Sequence, residues 1–276
     1  MLSGGVVRAH LFSVRPVKPK MWEALVVVEF PVAVVANQAP GATYDFGATV
    51  KSGQTIAHTF NRRIQLTSKD GGPLPDRRVT FVQNVELPPG SYELTSVLSD
   101  ADGDKVFAAS THTDLPEIAK DEAFLVEPIL GRRAERNLVV QGGSQRLGKS
   151  KLEDDPRRDR MGSGGSFEPI LVLEIDRSRP VAAWTAACMV SNDHDPKAPE
   201  VERRLLGDDG SAVGSLPTVH PSFVSSDRVR CESMLDVLPV APLSPGGYRF
   251  EVVLAPPPEE ASGEASAKFA VVVPER

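Results

Sequence analysis

Residues 87–98 read LPPGSYELTSVL, and residues 243–254 read LSPGGYRFEVVL. Leu, Pro, Gly, Tyr, Val and Leu recur at matching places, six of the twelve positions. In each stretch a Pro-Gly turn, with Gly90 or Gly246, delivers a tyrosine to the first inward position of a strand. Tyr92, Leu94 and Leu98 alternate onto one side of the first strand; Tyr248, Phe250, Val252 and Leu254 do the same in the second. A hairpin and a last strand follow each, the layout of a Greek-key β-sandwich whose penultimate strand starts at a tyrosine corner. The echo predicts a duplicated, all-β chain of two tandem sandwiches of the immunoglobulin or fibronectin III kind.

Outward from the echo, the apolar period is two wherever it can be read, in runs bounded by Pro, Gly, Asn or Asp. These runs predict strands at 6–14, 24–32, 44–50, 56–66, 78–85, 92–98 and 105–113, then at 124–130, 137–140, 170–175, 181–190, 201–206, 229–237, 248–254 and 268–273. No fifteen-residue window carries an amphipathic helical stripe, which removes a parallel α/β sheet from consideration. The two sandwiches are expected at 1–116 and 117–276, joined by the short Pro-containing connector Leu115–Asp121. From Gln141 to Ser166 the chain is polar and glycine-rich, and is expected to form a long disordered loop in the second sandwich.

The 24 prolines and 22 glycines in 276 residues fit short, frequently punctuated elements. With 31 Lys and Arg against 37 Asp and Glu the net charge is −6, so no global basic field attracts nucleic acid. The longest apolar stretch, Ala24–Ala36, is broken by Glu29 and Pro31 and is too short to span a bilayer, so no membrane insertion is expected. The N-terminal residues lack the apolar core of a signal peptide, which taken literally points to the cytoplasm.

Cys188 and Cys231 are the only cysteines. Trp184, Ala186, Cys188 and Val190 share one strand face, as do Val229, Cys231, Leu235 and Val237, so both thiols are expected to point inward. The favoured reading is two small buried apolar side chains; a buried inter-sheet disulfide is the alternative.

Several motifs invite a chemical reading. Gly143, Gly148, Lys149 and Ser150 complete the phosphate-loop pattern G-x-x-x-x-G-K-S, and LVLEID at 171–176 resembles its partner strand. A phosphate loop works because a helix begins at the Lys-Ser and offers free backbone donors; here Pro156 and GSGG stop any helix within two turns. The segment is therefore read as a decoy in linker sequence. Asp100, Asp102 and Asp104 sit at alternate positions, as in a calcium loop, yet Lys105 stands where glycine belongs and Thr111 where the bidentate glutamate belongs. A hairpin turn is the better reading of that Asp-Gly segment. The five histidines are dispersed without metal-ligand spacing, and no G-x-S-x-G occurs. No catalytic residue, metal or cofactor is assigned, and a non-enzymatic role is expected.

The two P-G-x-Y turns, the hairpins after them and EPILVLEIDRSRPVAAWTAACMV at 168–190 carry a resemblance. The chain resembles the tandem β-sandwich region of exported, acidobacterial-type bacterial proteins related to the von Willebrand factor type A domain. The D-x-S-x-S adhesion motif of the A domain itself is absent, so its metal chemistry does not carry over. The resemblance implies a periplasmic or secreted location and a non-enzymatic interaction or spacer role, with a protein partner met at loops or strand edges. The alternatives are a ligand-binding or hydrolytic protein using Gly143–Ser150, or a carbohydrate-binding sandwich face, which would need exposed aromatic rings.

Overall fold

A computed structural model describes residues 7–31, 43–68, 78–100, 106–118, 120, 123–133, 138–142, 167–171, 174–191, 200–221, 223, 228–255 and 264–272. Among the described residues every regular element is a strand, and the strands form four sheets. The first sheet is ordered β1 (Arg8–Lys18), β2 (Met21–Pro31), β5 (Arg78–Leu87). The second is β10 (Leu138–Gly142), β4 (Thr55–Ser68), β3 (Thr43–Ser52), β6 (Gly90–Asp100), β7 (Val106–Leu115). The third is β11 (Phe167–Pro169), β9 (Ile129–Arg133), β13 (Val181–Val190), β16 (Val229–Leu238), with β8 (Ala123–Leu125) also on β13. The fourth is β12 (Glu174–Asp176), β18 (Glu264–Val272), β17 (Gly246–Ala255), β14 (Glu200–Gly207), β15 (Ala212–Val219).

One strand order recurs. The run β4-β3-β6-β7 in the second sheet matches β15-β14-β17-β18 in the fourth, and β1-β2-β5 in the first matches β9-β13-β16 in the third. All pairings are antiparallel except that of β12, which lies parallel to β18. β10 crosses the boundary expected after residue 116: it follows β9 in the chain but pairs with β4, Leu138 opposite Ser68.

Alternate side chains of a strand point to opposite faces, so a strand buried at every position is covered on both. β2 buries seven consecutive residues, Ala24 to Phe30, and β13 buries all ten of its residues. The first and third sheets are thus inner layers. Phe81 of the first sheet meets Phe46 of the second with ring centroids 4.5 Å apart, and β1 runs against β13 and β16 on its other side. β13 divides its side chains between two cores. Trp184, Ala186, Cys188 and Val190 join Leu25 and Val27 of the first sheet; Val181, Ala183, Ala187 and Met189 join Phe250 and Val252 of the fourth. The layers therefore stack in the order second, first, third, fourth.

The two P-G-x-Y turns share a geometry. Gly90 and Gly246 have φ of 149° and 157°, values that L side chains rarely adopt. The Tyr92 hydroxyl donates to the Pro88 carbonyl at 2.8 Å, and the Tyr248 hydroxyl to the Ser244 carbonyl at 2.8 Å. Tyr92 is buried, whereas Tyr248 is half-buried.

Several expectations need correction. The cysteines are not two free buried thiols: Cys188 and Cys231 form a disulfide. Nor does the bond join two sheets, because the residues are directly opposed on β13 and β16 of the third sheet. Val237 is not inward but 60% exposed, since its face of β16 continues beyond the first core. β15 went unpredicted because AVGSLPTV carries a proline and too few apolar residues to show alternation. Gln141 and Gly142, expected in a loop, end β10; the rest of that segment, with Gly143, Gly148, Lys149 and Ser150, lies outside the described residues.

Candidate binding cleft

A cavity of about 780 Å³ opens where edges of all four sheets converge. β1 contributes Arg8 to His10 and Phe12, with Val7 just before it, and β7 contributes Ala108 to Thr111. Glu127, Leu130, Ile170 and Leu171 come from around β9 and β11, and Ser266 to Lys268 from β18. The floor is apolar and the rim carries charge. Phe12 and Ile170 are buried, whereas Arg8, Glu127 and Lys268 are exposed.

His10 is half-buried and packs on Phe12 with ring centroids 4.3 Å apart. Burial lowers its pKa, because the imidazolium would lose hydration without gaining a counter-ion. Desolvation raises that of Glu127, even though the residue is exposed at the rim. The cleft therefore holds an imidazole whose burial favours its neutral form, a carboxyl whose desolvation favours its protonated form, and the basic side chains of Arg8 and Lys268. Such shifted groups gathered in a recess are the usual mark of a binding site.

Behind the cleft, Glu29 holds the inner sheets in register. It is 1% exposed, within the apolar run of β2. Arg78 Nε lies 3.2 Å from its Oε1, and the Leu171 amide donates to its Oε2 at 2.9 Å. The Arg8 Nη1 donates to the Leu171 carbonyl at 3.2 Å, and Arg132 Nη2 to the Arg78 carbonyl at 3.3 Å. Burial lowers the Arg78 pKa while Glu29 opposes the loss. Trp22 adds a second tie: its indole N–H donates to the Pro116 carbonyl at 2.8 Å and its ring meets Phe124 edge-on. The connector is thereby anchored on the first sheet.

The residues singled out from sequence do not converge on this cleft. Tyr92, Tyr248, Gly90 and Gly246 shape the two turns; Trp184, Cys188 and Cys231 belong to the third sheet. Asp100 is buried at the end of β6 and raises the Tyr44 pKa together with burial, while Asp102 and Asp104 lie outside the described residues. β6 and β7 pair from Gly90–Leu115 to Ser99–Val106, the register of a hairpin around that segment. No cluster of His, Cys, Asp or Glu able to hold a metal occurs among the described residues. All sixteen aromatic residues are described, and each is buried or half-buried, so no sandwich face offers an exposed ring platform for sugars.

His10, Glu127, Arg8 and Lys268 were missed because three segments distant in sequence bring them together. Glu29 did leave a signal, as a lone carboxylate inside ALVVVEFPV. No protein-family model matches the chain, and no curated protein matches it.

Proposed function

We propose that the chain is a non-enzymatic interaction and spacer element of a bacterial envelope or secreted protein, built from two immunoglobulin-like or fibronectin III-like Greek-key sandwiches. One observation carries the reading. The central strands of the two inner sheets, β2 and β13, are buried on both faces and share one apolar core, which makes a stiff body, while among the described residues outer strands lack a bonded neighbour on one side. The recurring strand order, with a tyrosine bonded back four residues at the start of β6 and β17, supports the sandwich type. The disulfide supports an oxidising compartment, and with it the resemblance to exported proteins related to the von Willebrand factor type A domain. A protein partner, rather than nucleic acid or a membrane, suits the net charge of −6.

Photo-crosslinking residues placed at Val106 on β7 and Val213 on β15, both exposed, test the reading in the living source cell. The expected outcome is capture of one envelope protein from at least one edge, with none from the exposed control position Val97 on β6, an interior strand of the second sheet. Equal capture from all three positions, or turnover of nucleotide, ester or glycoside substrates by the purified chain, overturns it.

A further inference from the structure

The cleft wall carries a pattern that a side-chain pocket lacks. Where a strand presents a face to a cavity, only every second residue lines it, because neighbours point opposite ways. Here four consecutive residues of β7, Ala108 to Thr111, and three of β1, Arg8 to His10, line the same space, with Val7 just ahead of β1. The cavity therefore abuts the backbone edges of both strands. Both are terminal in their sheets: β7 pairs only with β6, and β1 only with β2.

Of the two edges, β7 is the less guarded. β1 carries Arg8, Arg15, Pro16 and Lys18 and two register irregularities, features that keep a sheet edge from pairing further. β7 reads VFAASTHTDL, without proline, lysine or arginine, and its register with β6 is unbroken over ten residues. At the cleft its side chains are Ala, Ala, Ser and Thr, small enough for another backbone to approach. The other half of the molecule shows such an edge in use. β18, the counterpart of β7 in strand order, carries β12 on its outer edge, Glu174 to Asp176 parallel to Ala270 to Val272. On β7 no strand is hydrogen-bonded to that edge among the described residues, although β1 runs close alongside β7.

Resting on the interaction reading above, we infer that the edge of β7 at Ala108–Thr111 is the docking site of an extended peptide segment of a protein partner, added as a further strand of the second sheet. Four residues of strand span about 13 Å, which sets the paired length. One side of the added strand meets the apolar floor of Phe12, Leu130 and Ile170. The exposed cations Arg8 and Lys268 select a carboxylate at one end of the segment. Glu127 is the one acid among the lining residues and stands against the two cations.

The test uses the full chain and a synthetic heptapeptide of alternating valine and threonine with one terminal glutamate. Its companions are the same peptide N-methylated at alternate residues in each of the two phases, and a version with lysine in place of glutamate. The expected result is slowed amide exchange at Ala108–Thr111, binding weakened at least tenfold in one methylation phase, and preference for glutamate over lysine. Lys268→Glu, an exposed rim substitution, should weaken the glutamate peptide about fivefold and reverse that preference. Equal binding of both methylated peptides makes the cleft a side-chain pocket and overturns the inference. Protection of another edge, such as β15 or β16, overturns this site while the edge-binding reading stands. Absence of protection at any strand edge, with no edge crosslinks in the source cell, removes both.

Discussion

The two halves of the molecule share a strand order and a tyrosine bonded four residues back, but their last strands end differently. β18 carries β12 along Ala270–Val272, whereas among the described residues no strand is hydrogen-bonded to the outer edge of β7. The supports differ as well. The second half places a disulfide across β13 and β16 and a buried ion pair, Arg203 with Asp236, between the fourth and third sheets. The first half has no disulfide, and its buried carboxylate, Glu29, reaches out of its own sheet to the Leu171 amide near β11. A charge inside one sandwich stabilises that sandwich; a charge bonded across the inner layers fixes how the two halves sit together.

Breaking those charges gives the largest expected effect. Glu29→Ala strands Arg78 and leaves the Leu171 amide without its acceptor, a loss of about 3–5 kcal/mol for a buried pair with one partner removed. Because that bond links the halves, urea unfolding should separate into two transitions. Asp236→Ala, which strands Arg203 within the second half, should cost a similar amount and destabilise only the transition of that half. Retention of a single transition within 1 kcal/mol of wild type in Glu29→Ala would show that the apolar core alone joins the halves.

The disulfide is the next contrast. Its sequence separation of 43 gives a chain-entropy contribution of roughly 4 kcal/mol, so Cys188→Ala with Cys231→Ala should lose about 2–4 kcal/mol, read as a fall in the urea midpoint. The loss should appear in both halves, since Cys188 faces the first core from a strand of the third sheet. Smaller differences separate the two corners. Tyr92→Phe should cost about 1–3 kcal/mol because Tyr92 is buried and its bond is part-buried, whereas Tyr248→Phe, whose bond is exposed, should cost under about 1 kcal/mol. Equal costs would show that solvent replaces neither hydroxyl.

The strands and the turns were legible because period-two alternation and the Pro-Gly-x-Tyr turn are local signals. Val181–Val190 was placed to the residue. That its second face is also buried was not visible, since Ala183, Thr185 and Ala187 look neutral until a fourth sheet covers them. The cysteine pairing escaped for a similar reason: alternation gave the face of each thiol but not which strands are neighbours. The cleft was the least legible feature, because it consists of edges, and an edge is defined by the pairing partner a strand lacks. A single residue, Glu29, could have announced the interface between layers; a carboxylate amid valines needs a partner from somewhere.

The smallest expected effect is a pH slope confined to the first half. His10 has a pKa below its ordinary value of 6.5 in the folded chain, because burial disfavours the imidazolium. As pH falls through 6.5 the unfolded chain takes up a proton that the folded chain refuses, so stability declines until the folded pKa is passed. The carboxyls of Asp236 and Glu127 act in the opposite sense. Burial raises both, so the folded chain takes up protons first and gains stability as pH falls through their folded values. Subtracting the profile of His10→Gln from that of the wild type isolates the imidazole, whose charged neighbours in the cleft are Arg8, Glu127 and Lys268. The difference should set in as pH falls below 6.5, and amide exchange should quicken at β1 and β7 but not at β15, near the exposed His220. Faster exchange at both sites would assign the slope to the whole stack. Faster exchange at β1 and β7 alone means that the strands bordering the cleft in the first half loosen with the protonation of one histidine, while the far edge of the fourth sheet does not.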